Sequence, residues 1–260
     1  MNGKVFPFCV GTSGWTYDHW KGSFYPEDLS KSKWFAFYAT KFSAVEVNAT
    51  FYRRFKDQTY QKWKERAPDG FTYVLKAPKW ITHRKLLIDV KQDIHIFMRS
   101  ASILENKLGL ILLQLPPSLP YDLERLRTVI LAFDNSTRIA VEFRHKRWNT
   151  PEVQQLLHEL GATYCNVDSP KNRLTDILTG KTGYLRLHGR KRWYAYDYSH
   201  DELAEIAQIA IRLKKSGAKQ VFIFFNNDFE GNAPRNAIAL MKILEKEYPS
   251  NNRNYDPLQL

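Results

Sequence analysis

Eight short apolar runs, separated by segments with helical spacing, restrict the folds open to this chain more than any other feature. They are VFPFCV from Val5, SAVEVN from Ser43, FTYVLK from Phe71, LGLILLQL from Leu108, RIAVEF from Arg138, ATYCNV from Ala162, GYLRLH from Gly183 and VFIFFN from Val221. Near-continuous runs rich in branched and aromatic residues suit parallel strands whose outer face is covered by helices. The intervening segments supply those helices. Val153, Leu156, Leu157 and Leu160 form one apolar stripe, closed by Gly161 where a left-handed cap belongs. Leu203, Ile206, Ala210 and Leu213 form another, ended by Lys214, Lys215 and Gly217. Trp34, Phe37, Tyr38 and Phe42 make an aromatic stripe that reads as packing.

Strand and helix in repeated succession imply parallel pairing through right-handed crossovers. Eight strands favour closure into a TIM-like (β/α)8 barrel over an open doubly wound sheet. No GxGxxG turn follows the first run, which removes the main dinucleotide signal of the open alternative. The segment SPKNRLTDILTG, from Ser169, lacks a helical stripe, so the helix between strands six and seven is expected to be short or missing. Residues 1–248 read as a single barrel domain, and 249–260, rich in Asn and Pro, as a C-terminal tail.

A length of 260 residues suits one barrel of this type, and 43% apolar with 25% charged residues suits a globular core. No run is long enough to span a membrane, and the start MNGKVFPFCVGTSGW lacks a signal-peptide layout, so the expected setting is cytoplasmic with no membrane partner. Cys9 and Cys165 lie in strand-like runs without metal-site spacing and read as reduced core thiols. Thirty-nine Lys and Arg against 27 Asp and Glu give a formal charge of +12, which suits an anionic partner. The basic residues are scattered, with Arg190, Lys191 and Arg192 the densest group, and no nucleic-acid motif accompanies them.

Strand parity locates the chemistry. In SAVEVN, Val45 and Val47 share one face while Glu46 and Asn48 share the other. In RIAVEFR, Val141 and Phe143 oppose Glu142 and Arg144; in GYLRLH, Leu185 and Leu187 oppose Tyr184, Arg186 and His188. Since helices must cover an apolar surface, the polar parity should point into the barrel. These pairs, with Lys76, Gln114 and Asn226, sit late in their strands, at the end where barrel active sites lie. Burying so many ionisable groups is unfavourable unless they pair, bind a ligand or reach water. An internal salt-bridge network, pairing Glu46 with Arg186 for example, is the structural alternative.

The chemistry expected of this set is proton transfer on a small polar or anionic ligand. Glu46, Glu142 and His188 are the candidate acids and bases. Lys76, Arg144 and Arg186 suit a carboxylate, a phosphate or a developing oxyanion. Asn48, Gln114, Asn226 and Asn227 suit hydroxyls and carbonyls, Ser13 is a loop contact, and Trp15, Tyr17, Trp20 and Tyr52 are either flat walls for a ring or loop anchors. No cofactor is expected. A metal assembled from Glu46, Glu142, Asp168, His188 and Asp228 is disfavoured by the surrounding cations and by the absence of a local ligand motif. His83, His145, His158 and His200 have no distinguishing spacing and read as loop or surface residues.

The same segments resemble the YecE-like family, also called the domain-of-unknown-function 72 family. The matching pieces are GTSGW from Gly11, WKGSFYP from Trp20, EVNATFY from Glu46, FTYVLKAP from Phe71, GLILLQLPPS from Gly109, EFRHKRW from Glu142, YLRLHG from Tyr184 and FNND from Phe225, leading to Gly231 and Ala233. The resemblance implies a TIM-like barrel, a loose link to sugar isomerases and no defined reaction. Its motifs fall on Ser13, Trp15, Glu46, Asn48, Tyr52, Lys76, Gln114, Glu142, Arg144, Arg186, His188 and Asn226. Lys146 and Arg147 depart from the family pattern by adding positive charge before Trp148. The expectation is therefore an enzyme acting on a sugar, a sugar phosphate or a similar metabolite. The alternatives are a nucleic-acid-binding or nucleic-acid-processing protein using the basic surface, and a barrel that serves only as a binding scaffold.

Overall fold

A computed structural model describes residues 6–249. Eight strands alternate with helices: β1 (Phe8–Thr12), β2 (Ala44–Val47), β3 (Thr72–Lys76), β4 (Leu108–Leu115), β5 (Ile139–Phe143), β6 (Thr163–Asp168), β7 (Thr182–Leu187) and β8 (Gln220–Phe225). The helices are α1 (Trp34–Lys41), α2 (Ala49–Tyr52), α3 (Asp57–Arg66), α4 (Lys91–Ala101), α5 (Leu123–Leu131), α6 (Pro151–Leu160), α7 (His200–Lys215) and α8 (Asn232–Glu247). The strands follow the order β1-β8-β7-β6-β5-β4-β3-β2. Chain neighbours are sheet neighbours and the first strand pairs with the last, the order of a (β/α)8 barrel. Every expected strand is present within a few residues of its run. The first begins at Phe8, three residues later than the apolar pattern; Val5 and the expected tail beyond Pro249 lie outside the described residues. No helix among the described residues is long and apolar enough to cross a membrane.

The chain forms two compact units. One holds the chain up to Val45, Asn166–Asp176 and the chain from Leu185 onward; the other holds Glu46–Cys165 and Ile177–Tyr184. In the first unit, β1 runs parallel to β8, with Phe8 opposite Val221 and Thr12 opposite Phe225. Gly11 is required by a close approach: a Cβ there would lie 2.1 Å from the Ala44 carbonyl oxygen. Tyr38 closes the same contact, its hydroxyl donating to Ala44 O at 3.0 Å and accepting from Thr12 N at 2.9 Å. The aromatic stripe of α1 is packing, as its spacing implied: Trp34 stacks on Tyr25 with centroids 4.7 Å apart, and Phe42 stacks on Phe24. Helix α7 starts with a reciprocal capping box between Ser199 and Glu202 and buries Leu203, Ile206, Ala210 and Leu213.

In the second unit, β3, β4, β5 and β6 pair in parallel, and the β4–β5 register sets Gln114 directly opposite Glu142. Helix α6 follows its sequence cues closely. The Thr150 side chain accepts from Val153 N, Pro151 takes the first helical position, and Gly161 ends the helix in the left-handed conformation at φ 65°. Its Val153, Leu156 and Leu157 are buried, whereas Leu160 is only half-buried.

The connection from β6 to β7 contains no helix, so of the two expected outcomes the missing helix is the one realised. Side chains satisfy its backbone instead. In the first unit, Ser169 and Asn172 close a turn, and Thr175 donates to Asn166 Oδ1 at 2.6 Å. In the second, Thr179 Oγ1 donates to Ala162 O and accepts from Tyr164 N, clipping the extended segment to the start of β6. Cys9 and Cys165 are buried and form no disulfide. Burial pushes the Cys9 thiol up to about 11, leaving it an inert packing group.

Candidate functional site

The second unit gathers the carboxylates. Glu142, on β5, is fully buried, and its Oε1 accepts from Gln114 Nε2 at 3.0 Å. Arg144, two residues on, turns back to the same oxygen in a tight ion pair. The register of β4 and β5 places the amide, and the two-residue period returns the arginine to the face of Glu142. A buried carboxylate is tolerable only with such charge-assisted partners. Lys76, at the end of β3, is also buried, with Nζ 4.0 Å from the centre of the Phe51 ring.

Glu46, on β2, is fully buried and accepts from the Tyr184 hydroxyl at 2.6 Å. Strands β2 and β7 are not sheet neighbours, so side chains from them meet only across the interior. For these two strands, the polar parity therefore points inward. The neighbouring Asn48 has a buried Oδ1 with no hydrogen-bond partner among the described residues.

His83 belongs with this group although nothing in its sequence spacing marked it. It lies in a π-turn, Trp80–Arg84, whose irregular geometry has no hydrophobic-pattern signature. Its ring meets Phe51 edge-on at 4.9 Å, and Thr82 Oγ1 lies 2.8 Å from its Nδ1. Burial lowers its pKa to about 4, assisted by the charges of Lys76, Lys79 and Arg144 and opposed by Glu142. A half-buried imidazole held neutral replaces the surface residue expected from the sequence. Tyr184 is the other omission; it was visible on the polar parity, but a tyrosine there is compatible with simple packing.

Tyr52 is not with these residues. It is 75% exposed and lines a cavity of about 530 Å³ beside α4 and the π-turn.

In the first unit, Arg186 on β7 and His188 just after it are buried. Asn226 Nδ2 lies 3.0 Å from His188 Nδ1, and Arg186 Nη1 lies 3.4 Å from His188 Nε2. Both ring nitrogens of His188 therefore face a polar side chain. Trp193 and Tyr194 pack around the ring, with centroids 5.4 and 5.7 Å away. Ser13 is buried, and its backbone is fixed by Phe225 O and the Tyr17 hydroxyl. Trp15 is half-buried against Phe35, while Trp20 is a fully buried loop anchor whose indole donates to Asp228 O at 3.2 Å.

Asn227 is engaged by the scaffold: its amide donates to Tyr196 O at 2.7 Å and to Asn236 Oδ1 at 2.8 Å. The first unit also holds a buried carboxylate. Asp168, at the end of β6, accepts from Arg190 Nε at 3.1 Å, and Arg190 in turn reaches Glu205 at 2.7 Å. Burial raises the Asp168 pKa, and the Arg190 charge opposes the shift.

Residues 9–258 match the family described as "Protein of unknown function DUF72". The chain is 25% identical over 274 residues to the UPF0759 protein YunF of Bacillus subtilis, covering 92% of this chain and 95% of that protein. It is 30% identical over 138 residues to the UPF0759 protein YecE of Escherichia coli, 51% of each. A DUF72 family protein from Thermotoga maritima superimposes with a TM-score of 0.84 at 31% identity, over 92% of this chain and 99% of that one.

Proposed function

The chain belongs to the DUF72 family, and we propose that it is an enzyme that moves protons on a small polar or anionic metabolite of the sugar or sugar-phosphate class. One observation carries the reading: Glu142 is a fully buried carboxylate whose named partners, Gln114 and Arg144, are all donors. Its surroundings include two more groups suited to catalysis, the neutral His83 and the cation Lys76. In this reading Glu142 is the general base and acid, with Glu46 or His83 as its complement. Lys76 and Arg144 hold the anionic group or the developing oxyanion, and the Asn48 Oδ1 accepts from a substrate hydroxyl. Within its own unit, His188 is a further proton-transfer group, and Arg186 a further anion-binding one. The chemistry is of the isomerase or hydrolase type and calls on no cofactor. A cytoplasmic setting suits two cysteines that form no disulfide.

The test uses a panel of aldoses, ketoses and their phosphates in D2O, with deuterium entry next to the carbonyl or bond cleavage followed by NMR. Wild type is expected to act on a member of the panel. Glu142→Gln is expected to lower that rate by about 100-fold or more while the melting temperature stays within a few degrees. Loss of the folded state in both Glu142→Gln and Lys76→Met, with no turnover by wild type, would make the cluster structural.

A further inference from the structure

The cavity beside α4 is chemically unlike the Glu142 group. Its rim carries Tyr52 at 75% and Trp80 at 55% exposure, two large flat rings facing solvent. Four cations line it as well: Arg53, Arg54, Lys79 and Arg84. None of the four has an ion-pair partner among the described residues; Arg53 makes only a cation–π contact with Phe55, at 4.5 Å. The one lining carboxylate, Asp93, is already neutralised by Lys85 at 2.8 Å. The lining therefore has an uncompensated positive charge next to exposed aromatic surface. Like charges without partners repel and exposed rings forgo burial, so the combination is suited to an anionic ligand that carries a flat ring.

The wall of the cavity is also built at a conformational cost. Trp80 and Arg84 bound the π-turn, and immediately after it Leu86, Leu87 and Asp89 adopt positive φ angles of 49°, 66° and 49°. Left-handed leucines are strained and persist only where their surroundings hold them; burial of Leu87 and the Lys85 clip to Asp89 O and Asp93 do so here. Such turns cluster at ligand sites.

We propose that this cavity binds a nucleotide, a nitrogenous base stacked on Trp80 or Tyr52 with its phosphate held by Arg53, Arg54, Lys79 and Arg84. A volume of about 530 Å³ falls in the range of small-molecule sites and admits one mononucleotide. Guanidinium groups suit phosphate, and exposed rings suit any base. The proposal stands apart from the acid/base reading, since the cavity lining shares no residue with Glu46, Lys76, Glu142 or Arg144.

Calorimetric titration of the full chain with AMP, adenosine and ribose 5-phosphate tests it. AMP is expected to bind, and the two fragments, lacking phosphate or base, to bind at least tenfold more weakly. Trp80→Ala and Arg84→Ala, both at exposed positions that leave the fold intact, should each weaken AMP about tenfold or more, while Glu142→Gln should leave its affinity unchanged. The proposal is overturned if AMP shows no binding at millimolar concentration, or if Trp80→Ala and Arg84→Ala bind it like wild type. Loss of AMP binding in Glu142→Gln alone would also overturn it, by moving the nucleotide to the acid/base group.

Discussion

Glu142 and Asp168 are both buried carboxylates near the C-terminal ends of parallel strands, and each is ion-paired to the Nε of an arginine later in the chain. What surrounds them differs. Arg190 is shared among Asp168, Glu202 and Glu205, and Tyr196 donates to Glu202 in turn, so one cation serves three carboxylates from β6 and α7. The result is a tie between a strand end and a helix. Around Glu142 the balance is reversed, with an amide and an arginine converging on a single oxygen. A carboxylate embedded in excess acid organises the scaffold, whereas one embedded in excess donors retains the charge and hydrogen-bonding capacity that a substrate needs. Both carboxylates are paired with an arginine; the other groups around each pair, an amide for Glu142 and two further carboxylates on Arg190, separate them.

The comparison is most exposed to Arg190→Ala, which strips Asp168 of its cation. Stability is expected to fall by about 3 kcal/mol, read as the shift in urea midpoint at unchanged slope; a midpoint like wild type would remove the structural role assigned to this pair. By contrast, the isosteric Glu142→Gln is expected to cost less than about 1 kcal/mol, because its amide still fits between Gln114 and Arg144.

Tyr184→Phe asks on which side of the comparison Glu46 falls. Removing the hydroxyl leaves the carboxylate short of one donor, an expected loss of about 2 kcal/mol. An unchanged stability would mean that Glu46, like Glu142, has donors in excess.

The smallest effect is a pH dependence. His83 titrates at about 4 in the folded chain against 6.5 for an unperturbed imidazole. The unfolded chain thus binds more protons between these values. Stability falls as the pH drops from about 6.5 to about 4 and, for this group, is flat above that window. With allowance for partial solvent access, wild type should lose about 1 kcal/mol more than His83→Gln across it. Parallel curves for the two proteins would remove His83 from the Glu142 group.

Much of this was legible beforehand. The β-like runs located all eight strands, and the two-residue parity identified Glu46, Glu142, Arg186 and His188 as buried polar groups, because burial patterns follow from local geometry. The cues around α6 were equally local: Thr150, Pro151 and Gly161 act within one turn of their own positions. His83 escaped because a π-turn has no periodicity to read, and the exposure of Tyr52 at the end of the short helix α2 has no signal in the local pattern. The tie of the Asn227 amide to Asn236 on α8 is a contact between distant elements that no local pattern shows.

By itself, then, the sequence determined the barrel order, the polar faces of its strands and a short or missing helix before β7, each a consequence of short-range pattern and stereochemistry. Only the tertiary structure decided which donors and acceptors meet each buried carboxylate. That distinction depends on side chains brought together from separate elements, such as Gln114 with Glu142, Tyr184 with Glu46, and Arg190 with Glu205. Electrostatic environment is a sum over neighbours in space, and the neighbours that matter here lie between 15 and 138 residues apart in the chain.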